Sequence, residues 1–287
     1  MTVVVTGATG FIGAALLRHL VSAGEQVLAV GGPGSRCGID SPSVKWLSYD
    51  ENYKVISQLV AAAQPASVIH CVNHYSWRHT VSYIDEAIDA NIRFGSLLLG
   101  ALAETSVQFI NLSTFFQRQG STRTEPNSFY AASKQAFADI VHWFGDNSDL
   151  QVCDLMLFDT YGPRDRRNRL IPRLLECAAT GSTMDIETPS AELNLCFIDD
   201  IISGIANVLA RRTIGKWSLR AETYVKVSEV VSCVESISGQ NVVRKWGGAE
   251  PRVLSRVDAP PTLTGWSPLV TLRNGVEQCW KSVQAGR

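Results

Sequence analysis

A phenol and an ammonium stand four residues apart in "YAASK", Tyr130 to Lys134, inside the stretch "NSFYAASKQAF" (127–137). The stretch has helical character. Positions i and i+4 lie about one turn apart on one helical face, so both side chains can address one ligand. The chemistry open to such a pair is proton transfer. A free phenol has a pKa near about 10 and is a poor base at neutral pH. A neighbouring ammonium stabilises the phenolate and draws that value toward working pH. A Tyr with a Lys four residues on also arises by chance on solvated helices, so the pair needs support from elsewhere in the chain.

That support begins at "VVVTGATGFIG" (3–13), which places Gly7, Gly10 and Gly13 between a strand and a helix. Gly7 permits a tight turn, Gly10 lets a pyrophosphate approach the backbone, and Gly13 lets the helix pack close to the sheet. The helix start offers N–H groups and the positive dipole end to phosphates. The expected cofactor cradle is therefore Gly7, Thr9, Gly10, Phe11, Ile12 and Gly13. A glycine triplet alone is a weak sign, but this one sits in the strand–turn–helix context that such a motif requires. At the end of the next strand, "LAVGGPGSR" (28–36), an acid would accept hydrogen bonds from an adenosine ribose. Gly31 and Gly32 stand there instead, with Ser35 and Arg36 nearby. A missing carboxylate and an available cation suit a 2′-phosphate, so the expected cofactor is NADP(H) in preference to NAD(H). The plainer reading of Arg36 is a solvated loop residue.

The elements that must hold these residues alternate. "TVVVT" (2–6), "QVLAV" (26–30), "VKWLSY" (44–49), "SVIHCV" (67–72), "VQFINLS" (107–113) and "LQVCDLMLF" (150–158) read as strands. Residues 11–24, 53–64, 84–105 and 128–146 read as helices. Short apolar strands separated by helices predict an α/β fold, a doubly wound parallel sheet covered on both faces, with right-handed crossovers. After about residue 160 the regularity decays. We expect a Rossmann core over 1–160, with 193–212 returning to it, and a smaller interleaved α/β substrate lobe from 161–192 and 213–287.

Composition closes several doors. Hydrophobic residues are 45% and charged residues 18% of the 287, with a formal net charge of −1. No global basic field exists to recruit nucleic acid or an anionic membrane. The seven cysteines are scattered without a CxxC pair, which points to reduced thiols and a cytoplasmic setting. "HCVNH" (70–74) lacks a second cluster at metal spacing, so no metal is expected. The N-terminus enters a strand without a leader-like segment, and no stretch approaches the roughly 20 apolar residues of a membrane span.

"TGATGFIG" and "YAASK" together resemble the extended short-chain dehydrogenases/reductases, the epimerase/dehydratase-like family. The resemblance implies that Tyr130 moves a proton at the substrate oxygen. It also implies that Lys134 holds the nicotinamide ribose and that a Ser or Thr after strand five bonds the same oxygen. "FINLSTFFQ" (109–117) supplies Thr114, with Ser113 as the weaker candidate and a turn cap as the bland reading. Asp50 resembles the family's adenine-contacting acid. Sugar-nucleotide 4,6-dehydratases carry Asp-Glu after that Thr; here Phe115 and Phe116 stand there, and a phenyl ring cannot do acid–base work.

The stretches "FINLSTFFQ", "NSFYAASKQAFADIV" and "LMLFDTYGPRDRRNRLIPRLL" look like the CDP-abequose and CDP-paratose synthases. Those reduce the C4 ketone of a nucleotide-linked 4-keto-dideoxyhexose with NADPH. One position departs: seven residues before Asp200, where the family has a pyrophosphate-gripping Arg, this chain has Leu193. Arg169, Arg173 and Arg252 are the candidate substitutes. His74, Tyr75 and Trp77, after strand four, are candidates to line the sugar pocket, or merely to pack their loop. Three functions stay open: an NDP-sugar 4-ketoreductase, an NDP-sugar epimerase recycling bound NAD, and a non-catalytic NADP(H) sensor. The resemblance further implies a homodimer through the helices at 84–105 and 128–146.

Overall fold

Every residue of β1 (Thr2–Thr6) is β-branched, and the strand is buried for most of its length. Such a segment suits the inside of a sheet flanked on both faces. The computed structural model describes residues 2–32, 34–48, 53–76, 80–118, 125–248 and 257–286. From β1 the chain alternates through α1 (Phe11–Ser22), β2 (Gln26–Gly31), β3 (Val44–Ser48), α2 (Tyr53–Ala62) and β4 (Ser67–His70). It continues through α3 (Val81–Ile88), α4 (Phe94–Leu102), β5 (Gln108–Thr114), α5 (Phe129–Asn147) and β6 (Gln151–Leu157). The pairings β3–β2–β1–β4–β5–β6 are all parallel. This is the doubly wound sheet that the alternation predicts, with the strand order reversing at β1 and β4.

The chain divides into two units. The first holds residues 1–157, 205–218 and 258–261; the second holds 158–204, 219–257 and 262–287. The second contains β7 (Asp159–Tyr161), α6 (Leu170–Thr180), β8 (Met184–Ile186), β9 (Glu192–Leu193) and β10 (Leu195–Phe197). The chain crosses into the first unit along α7 (Ile198–Arg211). It leaves along β11 (Gly215–Leu219), the outermost of seven strands beside β6. β12 (Val225–Lys226), α8 (Val227–Ser238), β13 (Arg244–Trp246) and α9 (Leu272–Ala285) complete the second unit. There β7–β10 and β8–β13 pair parallel, and β9–β12 antiparallel.

One face of the main sheet carries a fully apolar row, Val4–Val68–Phe109–Val152, in register across four strands. Phe94, Leu98 and Leu102 from α4 and Phe137 and Val141 from α5 cover it. Each such side chain contributes roughly 1.5–3 kcal/mol on burial. The sequence predicts a single helix over 84–105. The structure instead begins it at Val81 and interrupts it with a π-helical segment, Asp89–Arg93. The wider turn brings Asn91 inside, in a stretch where Ala87 and Phe94 are also buried.

Candidate active site

Close contacts and a cap position explain the glycines of the β1–α1 turn. Gly7 has φ +64°, and a Cβ there would strike the backbone of Cys71 and Val72 at the end of β4. A Cβ on Gly13 would collide with the Gly7 carbonyl. Gly10 is the N-cap of α1, makes no side-chain cap bond, and the first helical turn carries no acid. A phosphate meeting this turn therefore encounters backbone amides and the positive helix end without a competing carboxylate. These features fit a dinucleotide pyrophosphate.

Tyr130 and Lys134 lie in the first turns of α5, which starts because Ser128 caps it by accepting from the Ala131 amide at 3.2 Å. Lys134 is 2% exposed and Tyr130 8%. Burial pushes the Lys134 ammonium down to about 8, while Asp154 and then Cys71 pull it back up. The Cys71 thiol, pushed up to about 12 by burial, holds its proton at neutral pH. The lysine and the glycine turn thus both adjoin the segment that leaves β4. His70, on the same strand, is driven down to about 3 by burial first and Lys134 second, so it stays neutral.

Asn91 fastens this corner and was invisible in the chain's periodicity. Its Oδ1 accepts from the His74 amide at 2.6 Å. Its Nδ2 donates to the His74 carbonyl at 3.0 Å and to Ser133 Oγ at 2.9 Å. Ser133 in turn donates to the Tyr130 carbonyl at 2.8 Å. One amide therefore ties the loop after β4 to the helix of the Tyr–Lys pair. The signal was a lone Asn in a helix otherwise buried by apolar residues. Tyr75, in the same loop, meets the Tyr130 ring edge-on, with centroids 4.9 Å apart. His74 lies 3.1 Å from Glu86.

At the end of β5, Ser113 is buried, with no hydrogen-bond partner for its Oγ among the described residues. Thr114 is partly exposed. Its amide donates to Gln117 Oε1 at 2.8 Å, and its Oγ1 accepts from the Phe116 amide at 3.4 Å. Phe115 and Phe116 are buried in the 3₁₀ turn that follows.

At the end of β2, Arg36 is exposed. Gly31 has a reason that the sequence did not show: a Cβ there would run into the Trp46 indole and Ser35 Oγ. Trp46 on β3 occupies the space that an acid at this position would need.

The remaining candidates lie apart in the chain. Arg169 is the N-cap of α6 in the second unit, beside the half-buried Asp159, and Arg173 is exposed on the same helix. Arg167 of the basic run is already engaged, its Nε and Nη2 donating to the two Asp165 carboxylate oxygens at 2.8 Å each. Leu193 sits in β9, paired with Val225. Asp50, Trp77 and Arg252 lie outside the described residues.

The glycine turn, the buried Tyr–Lys pair and the parallel sheet agree with what comparison with known proteins finds. Residues 3–217 match the NAD dependent epimerase/dehydratase family. The chain belongs to that family. It is 24% identical over 297 residues to a CDP-abequose synthase of Salmonella typhimurium, covering 97% of each chain. It is 26% identical over 312 residues to YtcB of Bacillus subtilis, an uncharacterised UDP-glucose epimerase, covering 96% of each. Among solved structures, MoeE5 in complex with UDP-glucuronic acid and NAD superposes with a TM-score of 0.85 at 22% identity. A UDP-glucuronic acid 4-epimerase from Bacillus cereus, with UDP-glucuronic acid and NAD, gives 0.84 at 20%. Both cover the whole of each chain. The family resemblance carried by "TGATGFIG" and "YAASK" is thus the one found, and the solved relatives share the Rossmann fold. Among the described residues, no helix is long and apolar enough to cross a membrane.

Proposed function

We propose that the chain is an NADPH-dependent reductase of the C4 ketone of a nucleotide-activated 4-keto-deoxyhexose. The observation that carries this reading is the buried Lys134 one helical turn from Tyr130, on the corner where the glycine turn meets β4. The CDP-abequose synthases among the relatives support the substrate class.

The reduced nicotinamide supplies hydride when bound. Everything else falls to the chain. Tyr130 gives its proton to the ketone oxygen as negative charge develops there. Lys134, in its charged form, keeps that proton mobile near neutral pH and holds the ribose. Thr114 donates a hydrogen bond to the same oxygen, and donors aimed at a developing alkoxide act mainly on turnover. Gly31, kept small by Trp46, leaves no acid for the adenosine ribose, and Arg36 meets a 2′-phosphate. Phe115 and Phe116 take the place of the acid pair that elimination of water would need. His74, Tyr75 and Ser113 line the sugar, and Arg169 and Arg173 hold the diphosphate in place of an arginine at Leu193. The active form is a homodimer through the helical stretch 84–105, which spans the end of α3 and α4, and through α5. Leu98, Leu99 and Leu102 turn inward, so the surface for it rests on Ile88, Leu97 and Trp143, the last 58% exposed. A monomer mass by light scattering at micromolar concentration contradicts that assembly.

A second reading, an NDP-sugar epimerase with NAD, is favoured by the NAD in the solved relatives. The two differ in one observable. The reductase consumes one NADPH per product with a 4-keto-deoxysugar nucleotide, and the epimerase forms product without net consumption.

A further inference from the structure

Thr114, at the very end of β5, has its backbone amide held by a side chain and not by a neighbouring strand. That amide donates to Gln117 Oε1 at 2.8 Å, across the 3₁₀ turn Phe115–Arg118. Gln117 is 1% exposed. Its Nε2 donates to Gln135 Oε1 at 3.2 Å, and Gln135 Nε2 donates to Asp139 Oδ1 at 2.8 Å. Gln135 and Asp139 lie on α5, and Gln135 directly follows Lys134. Three hydrogen bonds therefore run without a break from the helix of the Tyr130–Lys134 pair to the end of β5. The relay has a direction. A carboxylate only accepts, so Gln135 turns its amide nitrogen toward Asp139 and its oxygen toward Gln117. Gln117 then gives its nitrogen to Gln135, which leaves its oxygen for the Thr114 amide. Reversing either side-chain amide would set like against like.

We infer that Gln117 is a positioning residue for the proposed reaction: it locks the turn of Thr114 onto α5, so that the Thr114 hydroxyl and the Tyr130 phenol meet one substrate oxygen. The inference rests on the proposed roles of Thr114 and Tyr130, and Gln117 acts through Thr114. The backbone adds a second tie between the same two elements, since the Asn127 amide, just before α5, donates to the Phe116 carbonyl at 3.3 Å. The Phe116 amide meets Thr114 Oγ1 at 3.4 Å, so that oxygen already accepts and its proton is left to donate. A buried polar relay whose members are all paired makes its corner rigid. Rigidity matters here because a donor about 1 Å out of place loses rate while the ligand still binds.

The test reads the Thr114 amide directly, with turnover beside it. Protein labelled with ¹⁵N-threonine is followed by NMR hydrogen exchange, and the Thr114 signal is assigned through Thr114→Val. Gln117→Met and Gln117→Leu both remove the acceptor, so a folding failure of one leaves the other. In either variant the Thr114 amide should exchange roughly tenfold faster than in the parent. The kcat for a 4-keto-deoxysugar nucleotide should fall about tenfold or more, with KM for NADPH unchanged. On top of Thr114→Val, Gln117→Met should lower kcat by less than about twofold, since the hydroxyl that it positions is gone. An unmoved Thr114 amide in a folded variant overturns the inference. So does a parent-like kcat once the amide is released, or a loss of kcat that is as large with Thr114→Val as without it. If the amide is released while the parent protein turns over no keto sugar nucleotide, the reductase reading fails and the anchoring of Thr114 by Gln117 stands.

Discussion

Removing the Asn91 amide should loosen the site and the fold together, by an amount that its bonds set. Asn91→Ala deprives the His74 N–H and C=O of their partners at 2.6 and 3.0 Å. A backbone group left fully buried without a partner costs about 1–3 kcal/mol, so about 2–6 kcal/mol is the ceiling for this pair, and with His74 half-buried the variant should lose about 1–3 kcal/mol. Ser133 adds little, because its hydroxyl keeps its own bond to the Tyr130 carbonyl. Asn91→Asp should be worse: it retains an acceptor for the His74 amide but turns a carboxylate toward the His74 carbonyl and Ser133 Oγ. Urea unfolding followed by Trp fluorescence measures the loss. NADPH oxidation under native conditions should fall as well, since the loop bearing Tyr75 no longer holds against Tyr130. An Asn91→Ala variant that unfolds within about 0.5 kcal/mol of the parent would refute the claim that this amide fastens the corner.

NADPH should bind more tightly than NADH, and Arg36→Ala should narrow the gap by up to about 1 kcal/mol, the worth of an ion pair made by an exposed arginine; equal affinities in the parent protein, by fluorescence titration, contradict this. Gly31→Asp alone should weaken both cofactors because the side chain meets Trp46, whereas Gly31→Asp with Trp46→Val should turn the preference toward NADH. Tyr130→Phe should lower turnover by roughly 10²–10⁴ with NADPH binding kept, and Thr114→Val should lose turnover more than Ser113→Ala; the reverse order moves the oxygen-binding role to Ser113. Burial raises the Asp159 carboxyl to about 6, against the pull of Arg169 and Arg167. Its protonation therefore favours the folded state below its unfolded value, and that share is lost as pH rises through about 6. Asp159→Asn should flatten the fall of Tm between about pH 4 and 6, and an unchanged profile argues against it.

The glycine turn and the Tyr130–Lys134 pair were legible because their geometry is set by local spacing, three residues apart in a turn and four in a helix. The parallel sheet was legible for the same reason, since each buried strand is a short β-branched or apolar run. Asn91 was not, because its meaning depends on Ser133, 42 residues away, and on a π turn that helical periodicity does not distinguish from an α turn. Asp154 was hidden in the same way: inside "LQVCDLMLF" it is one acid in an apolar strand. Only the inter-strand register sets it beside Asn111, 43 residues away. Gly31 in the sequence shows only the loss of an acid; that Trp46 fills the space is a contact between neighbouring strands. The substrate side was least legible, because the candidates Arg169 and Arg173 lie in a basic run that reads equally as a solvated turn, and Leu193 removes the one position with a fixed spacing.

The most direct trial of the reductase reading follows the absorbance of reduced nicotinamide while the chain acts on 4-keto-deoxysugar nucleotides generated in place. The account predicts loss of one NADPH for each 4-hydroxy sugar nucleotide formed, slowed roughly 10²–10⁴-fold in Tyr130→Phe. Product formed while the NADPH absorbance stays constant would contradict it and give the site to an epimerase.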